Sequence, residues 1–180
     1  GDVYLKTSGS NWSSSMKDKL EDGVLYFNYR GYLGMSGFDT GDVDDANNGF
    51  KLPFATVLTC GTGSFSEDQT CMSEKFFRAG SASQPKGGVA AIGTATWNTH
   101  TIFNNIVDMG TYQGLLADKV GTAGAALASG KFALYNTYPT NPSQMVYKFT
   151  YWNNLMGDPV LHLWTDTPEN LYVEYPEIIN

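Results

Sequence analysis

Phe54, Ala55, Thr56, Val57 and Leu58 run through Thr59 into Cys60, and Gly61, Thr62, Gly63 and Ser64 follow at once. This junction limits the fold more than any other stretch. The run is short and rich in Val, Thr and Leu, which predicts a buried strand and not a helix. Gly61 and Gly63 then allow a tight turn and close approach of a second backbone or a ligand. The thiol of Cys60 is therefore expected at the carboxyl end of a core strand, where open α/β sheets place their sites. The bland alternative is a small buried side chain or half of a disulfide.

The flanking segments extend the pattern. Trp12, Met16 and Leu20 fall at helical spacing over about Trp12 to Glu21, with Ser10 or Asn11 as cap. Asp22-Gly23 ends that helix. Val24 to Tyr29 is apolar at nearly every position, so a strand covered on both faces is expected. Helix feeding strand predicts an α/β fold with a parallel sheet. Residues 30–53 read as a long glycine-containing loop, Met72 to Ala79 as a short helix, and Gly88 to Ala95 as a third buried strand. Thr99 is placed to cap a helix through Leu116, and Thr122 to start another to about Tyr135. Met145 to Leu155 reads as helix, Gly157-Asp158-Pro159 as a turn, and Val160 to Trp164 as a last strand. Residues 1–165 form the expected domain. The change to Pro, Glu and Asn beyond Thr165 marks 166–180 as a linker.

Composition excludes some functions. The chain of 180 residues carries 18 acids and 11 bases, a formal charge of −7, with no basic cluster, which argues against nucleic-acid binding. Apolar content of 42% supports a real core, and only 16% is charged, a balance that suits an extracellular or surface protein. The longest uncharged stretch, Gly87 to Val107, contains Thr, Asn and His and does not read as a membrane span. Two cysteines, Cys60 and Cys71, and two histidines make a zinc site improbable.

Cys60 is the candidate nucleophile by position. An ordinary thiol, with a pKa of about 8.5, needs a basic partner at neutral pH. His162 sits among Val160, Leu161 and Leu163 and reads as structural. His100 lies where a strand-end loop enters a helix, so it is either a site residue or a helix-cap or surface residue. Asp39, Asp42, Asp44 and Asp45 crowd the long loop; they are either Ca²⁺ ligands or a solvated acidic surface, and their spacing does not match a helix–loop–helix calcium motif. Asn11-Trp12-Ser13 is a formal glycosylation sequon.

Taken in order, Phe27-Asn28-Tyr29-Arg30-Gly31-Tyr32, the strand ending at Cys60-Gly61-Thr62-Gly63-Ser64-Phe65, Cys71 to Ala79, Lys86 to Gly93 and Gly157-Asp158-Pro159 resemble the gingipain-like cysteine peptidases. The resemblance covers about Trp12 to Trp164. It implies a caspase-like three-layer α/β fold, with a mostly parallel sheet and helices on both faces. It makes Cys60 the nucleophile, unpaired with Cys71, and gives the oxyanion to the backbone N–H groups of Cys60 and Leu33. The family's base is the histidine of an Asn-Tyr-x-Gly-His-Gly motif, which here reads Asn28 to Leu33 with Tyr32 at the base position. A phenol, pKa about 10, is a poor base at neutral pH. His100, or a residue from an upstream segment, would have to take the proton. The resemblance further implies a peptide or protein substrate, no required cofactor, further strands upstream, an adjoining domain after residue 180, and a secreted or cell-surface bacterial setting. An inactive caspase-like scaffold or interaction module is the alternative implied by Tyr32.

Overall fold

The computed structural model describes residues 12–97 and 99–165. The expected extended start, the Ser10/Asn11 cap, the sequon asparagine and the 166–180 linker lie outside these residues. The sheet has four strands in the order β1 (Tyr26–Tyr29), β2 (Phe54–Val57), β3 (Ala90–Thr94) and β4 (Asn153–Met156). The first three are parallel, with Tyr26 beside Phe54 and Phe54 beside Ala90; β4 runs antiparallel to β3. The carboxyl ends of β1, β2 and β3 therefore share one edge, and Cys60 lies on it.

Strand alternation divides the core into two layers. Phe54, Ala90 and Ile92 point to one face and pack with α4 (Thr101–Tyr112), α5 (Ala123–Thr137) and α6 (Met145–Trp152) through Phe103, Val107, Leu127, Leu134 and Phe149. Ala55, Val57 and Ala91 point to the other. They pack with α1 (Trp12–Asp22), α2 (Thr40–Asp45) and α3 (Met72–Arg78) through Leu20, Val43, Met72 and Phe76. Helices on both faces explain why these strands are continuous apolar runs, since neither face meets water. Phe27, Phe38 and Phe76 form an aromatic cluster under the second layer, with ring centroids 4.9–6.3 Å apart.

Three expectations need correction. The last strand is Asn153–Met156, not Val160 to Trp164, whose share in pairing is one isolated bridge from His162 to Thr122. Asn153 and Asn154 are poor helix formers, and Asn153 is recruited into a buried triangle. Thr94 donates to it (2.8 Å), and its own amide donates to Asn104 (3.3 Å). The 30–53 loop contains a 3-10 turn (Met35–Gly37) and α2. His100, not Thr99, is the N-cap of α4; its Nδ1 accepts from the Ile102 N–H at 3.4 Å. That helix continues past Tyr112 as a π turn, Gln113–Ala117.

Candidate active site

The turn after β2 is fixed by backbone contact and one hydroxyl. Gly61 has φ +75°, and a Cβ there would lie 2.8 Å from the Trp97 ring, so glycine lets the indole cover the turn. A Cβ on Gly63 would meet the Gly93 carbonyl carbon at 2.6 Å, so the turn rests directly on β3. The Gly61 and Gly63 N–H groups donate to Thr96 and Thr94 at 2.6 and 3.1 Å. Beneath them, the buried Thr62 hydroxyl donates to the Val57 and Thr59 carbonyls and accepts from the Thr94 N–H.

Cys60, half-buried and unpaired, stands at this turn; Cys71 is also a free thiol. The Cys60 Sγ lies 2.9 Å from the Thr99 Oγ1. Both cysteines line a cleft of about 660 Å³ with Leu33, Asp39, Glu67, Asp68 and Trp97. Among the described residues that line this cleft, none is Lys, Arg or His.

The first oxyanion candidate, Leu33, thus shares the cleft with Cys60. The Tyr29 hydroxyl and the Met35 N–H donate to the Tyr32 carbonyl at 3.2 and 3.3 Å. In a trans peptide the following N–H points the opposite way, so the Leu33 N–H is turned from these partners. No intramolecular acceptor for the Leu33 or Cys60 N–H is found among the described residues. Tyr32 does not line the cleft, and its side chain is 85% exposed. His100 does not line it either; its ring packs on Phe103 with centroids 5.6 Å apart. With Nδ1 accepting from Ile102, the neutral ring carries its proton on Nε2 and has no free acceptor nitrogen. In this arrangement His100 is a cap.

The four loop aspartates do not form a cation cage. Asp39 and Asp42 cap α2 reciprocally, Asp42 also accepts from Ser13 at 2.7 Å, and Asp44 pairs with Lys75 at 2.7 Å. Among the described residues no three His, Cys, Asp or Glu side chains converge as metal ligands, whereas Ca²⁺ takes 6–8 oxygens. The donor set does not fit the ion. His162 is exposed and joins Thr122 in an isolated bridge, where a place on the last strand was expected. Among the described residues, no helix is long and apolar enough to cross a membrane.

Sequence reasoning passed over Arg30 and assigned Thr99 only as a cap. The Arg30 guanidinium donates to the Leu58 carbonyl at 2.9 Å, to Thr101 at 2.5 Å and to Gly31 at 3.3 Å, joining the ends of β1 and β2 to the start of α4. Behind it, Asn28 donates to both oxygens of the largely buried Asp108 at 3.2 and 3.3 Å. Burial raises the Asp108 carboxyl above its ordinary range, opposed by the Asn28 hydrogen bond and the Arg30 charge. The available signal was position, since Arg30 directly follows a strand that ends at the sheet edge carrying Cys60.

A mostly parallel sheet, helices on both faces and a thiol at the carboxyl end of a central strand define the caspase-like class of cysteine peptidase folds. Residues 2–164 match the model of peptidase family C25, and the chain belongs to that family. Among solved structures it is similar to the Arg-specific cysteine proteinase gingipain R, at 25% identity and TM-score 0.73, over 85% of this chain and 36% of that one. It is likewise similar to a complex of the pro- and mature domains of RgpB from Porphyromonas gingivalis, at 25% identity and TM-score 0.71, over 85% of this chain and 37% of that one. A further protease structure, at 18% identity and TM-score 0.72, covers 96% of this chain and 42% of its own and supports the fold alone. The chain thus spans well under half the length of these structures. Among curated proteins there is no significant match.

Proposed function

We propose that this chain is the nucleophile-bearing part of a secreted or surface cysteine endopeptidase that cleaves polypeptides beside a basic side chain. The observation that carries this reading is Cys60, set at the sheet's carboxyl edge and open to a cleft lined by Asp39, Glu67 and Asp68 and, among the described residues, by no basic one. Three carboxylates attract a cationic side chain and repel an acidic one. Arginine specificity belongs to gingipain R, and the acidic lining supports a similar choice here. In the reaction, the Cys60 sulfur adds to the peptide carbonyl carbon, and its oxygen takes the negative charge. The Cys60 and Leu33 N–H groups donate to that oxygen. The proton given up by the thiol goes to the leaving amine, an acyl-enzyme thioester remains, and water hydrolyses it to the free acid and the thiol. Tyr32 lies outside the cleft, and a phenol is a weak proton acceptor for the first step.

The test is covalent labelling with peptidyl acyloxymethyl ketones ending in arginine, leucine or glutamate. The arginine reagent should label Cys60 fastest and the glutamate reagent slowest, and Cys60→Ala should abolish labelling. Equal rates for all three reagents, or labelling that survives Cys60→Ala, would refute the reading.

A further inference from the structure

Thr99 and His100 have exchanged the roles that their positions suggested. Because His100 caps α4, the Thr99 hydroxyl is not needed there, and it sits 2.9 Å from the Cys60 sulfur. The contact joins two loops that leave different strands, so something must hold those loops in register. Arg30 does so through the carbonyls of Leu58, two residues before Cys60, and Thr101, two residues after Thr99. We propose that Thr99 is the hydrogen-bond partner that orients and stabilises the Cys60 sulfur as a thiolate, and that Arg30 is the positioning residue that keeps the two together. The inference rests on Cys60 as the reactive thiol and adds the groups that prepare it.

The chemistry follows from the partners. A hydroxyl beside a thiol can donate or accept, but a thiolate only accepts, and a donor to a charged acceptor makes the stronger bond. The Thr99 hydroxyl therefore favours the ionised sulfur. Arg30 adds a fixed cation: burial lowers its pKa, while the charges of Asp108, Cys60 and Tyr29 hold it up. Other ionisable groups around the sulfur are Asp39, Glu67, Asp68 and Cys71 along the cleft and His100 beside Thr99. The three carboxylates oppose the thiolate, so its stabilisation has to come from the Thr99 and Arg30 side.

Alkylation of Cys60 by iodoacetamide, followed by peptide mass mapping across pH, tests this without any substrate. Thr99→Val keeps the side-chain shape and removes the hydroxyl. It should slow alkylation roughly tenfold at neutral pH, the equivalent of losing a charge-assisted hydrogen bond, and move the rate–pH curve towards higher pH. Thr99→Ser should follow the wild type, and Arg30→Gln should move the curve in the same direction as Thr99→Val. Melting temperatures taken alongside identify any variant slowed or hastened by unfolding, and Thr99→Ser then carries the comparison. A Thr99→Val curve that superimposes on the wild type, or a serine variant as slow as the valine one, overturns the proposal. The expected shift in a protein that reacts with none of the peptidyl ketones would uphold the Thr99 contact while removing the peptidase reading.

Discussion

Thr62→Val should loosen the turn that carries Cys60 without creating a cavity, because valine nearly reproduces the shape of threonine. The hydroxyl it removes is buried, with Thr62 at 6% and Thr94 at 0% exposure. Two losses follow. The Thr94 N–H, 3.2 Å from the Thr62 Oγ1, is left without that acceptor in the interior, at a cost of about 1–3 kcal/mol. The hydroxyl's donation to the Val57 and Thr59 carbonyls is also lost, worth about 1 kcal/mol. The sum is about 2–4 kcal/mol, a large part of the stability of an ordinary domain. Urea unfolding should show a lower midpoint at unchanged slope, and the melting temperature should fall by roughly 6–12 °C for a loss near 3 kcal/mol. Thr62→Ser keeps the hydroxyl and should lose far less. A valine variant within about 1 kcal/mol of wild type would show that the Thr62 hydrogen bonds do not hold the turn, and the reasoning would fail.

Gly63→Ala should destabilise by about 1–3 kcal/mol, because its Cβ would meet the Gly93 backbone at 2.6 Å; a chemical-unfolding curve unchanged from wild type would contradict the close packing. Combining Glu67→Gln with Asp68→Asn should slow labelling by the arginine ketone while sparing the leucine one, and the contrast should shrink in high salt. Tyr32→His should leave the rate of peptide cleavage nearly unchanged, because this position lies outside the cleft; a gain approaching the roughly 10²–10⁴-fold of general-base help would refute that placement. Asp108 gives a pH test. Its folded pKa is raised, so its contribution is fully present below the unfolded value, about 3.9, and is lost as pH rises through the folded value. Asp108→Asn should therefore gain stability relative to wild type between acid and neutral pH, read from urea midpoints at both; an equal difference at the two pH values would refute this.

Chain chemistry alone determined the strand β2, its thiol and the α/β alternation, because a short apolar run ending in Cys60 and two glycines has few other solutions. The same local rules misplaced β4. Apolar periodicity carries a helix across Asn153, and only the buried partners Thr94 and Asn104 make that asparagine a strand residue. They also made the acidic stretch a loop, whereas Asp39 and Asp42 cap each other to start α2. At the candidate site, sequence singled out Cys60 and, through resemblance, proposed Leu33, and both line one cleft in the tertiary structure. Sequence reasoning assigned the cap to Thr99 and left His100 as a site, cap or surface residue, although either of these adjacent polar residues can cap a helix. The decision came from β2 and α4 together, which bring the Cys60 sulfur against one of the two side chains and leave the other on the helix end. The strand β2 is set by neighbours along the chain, but β4 and the partner of a side chain are set by distances between segments tens of residues apart, and those exist only once the sheet has formed.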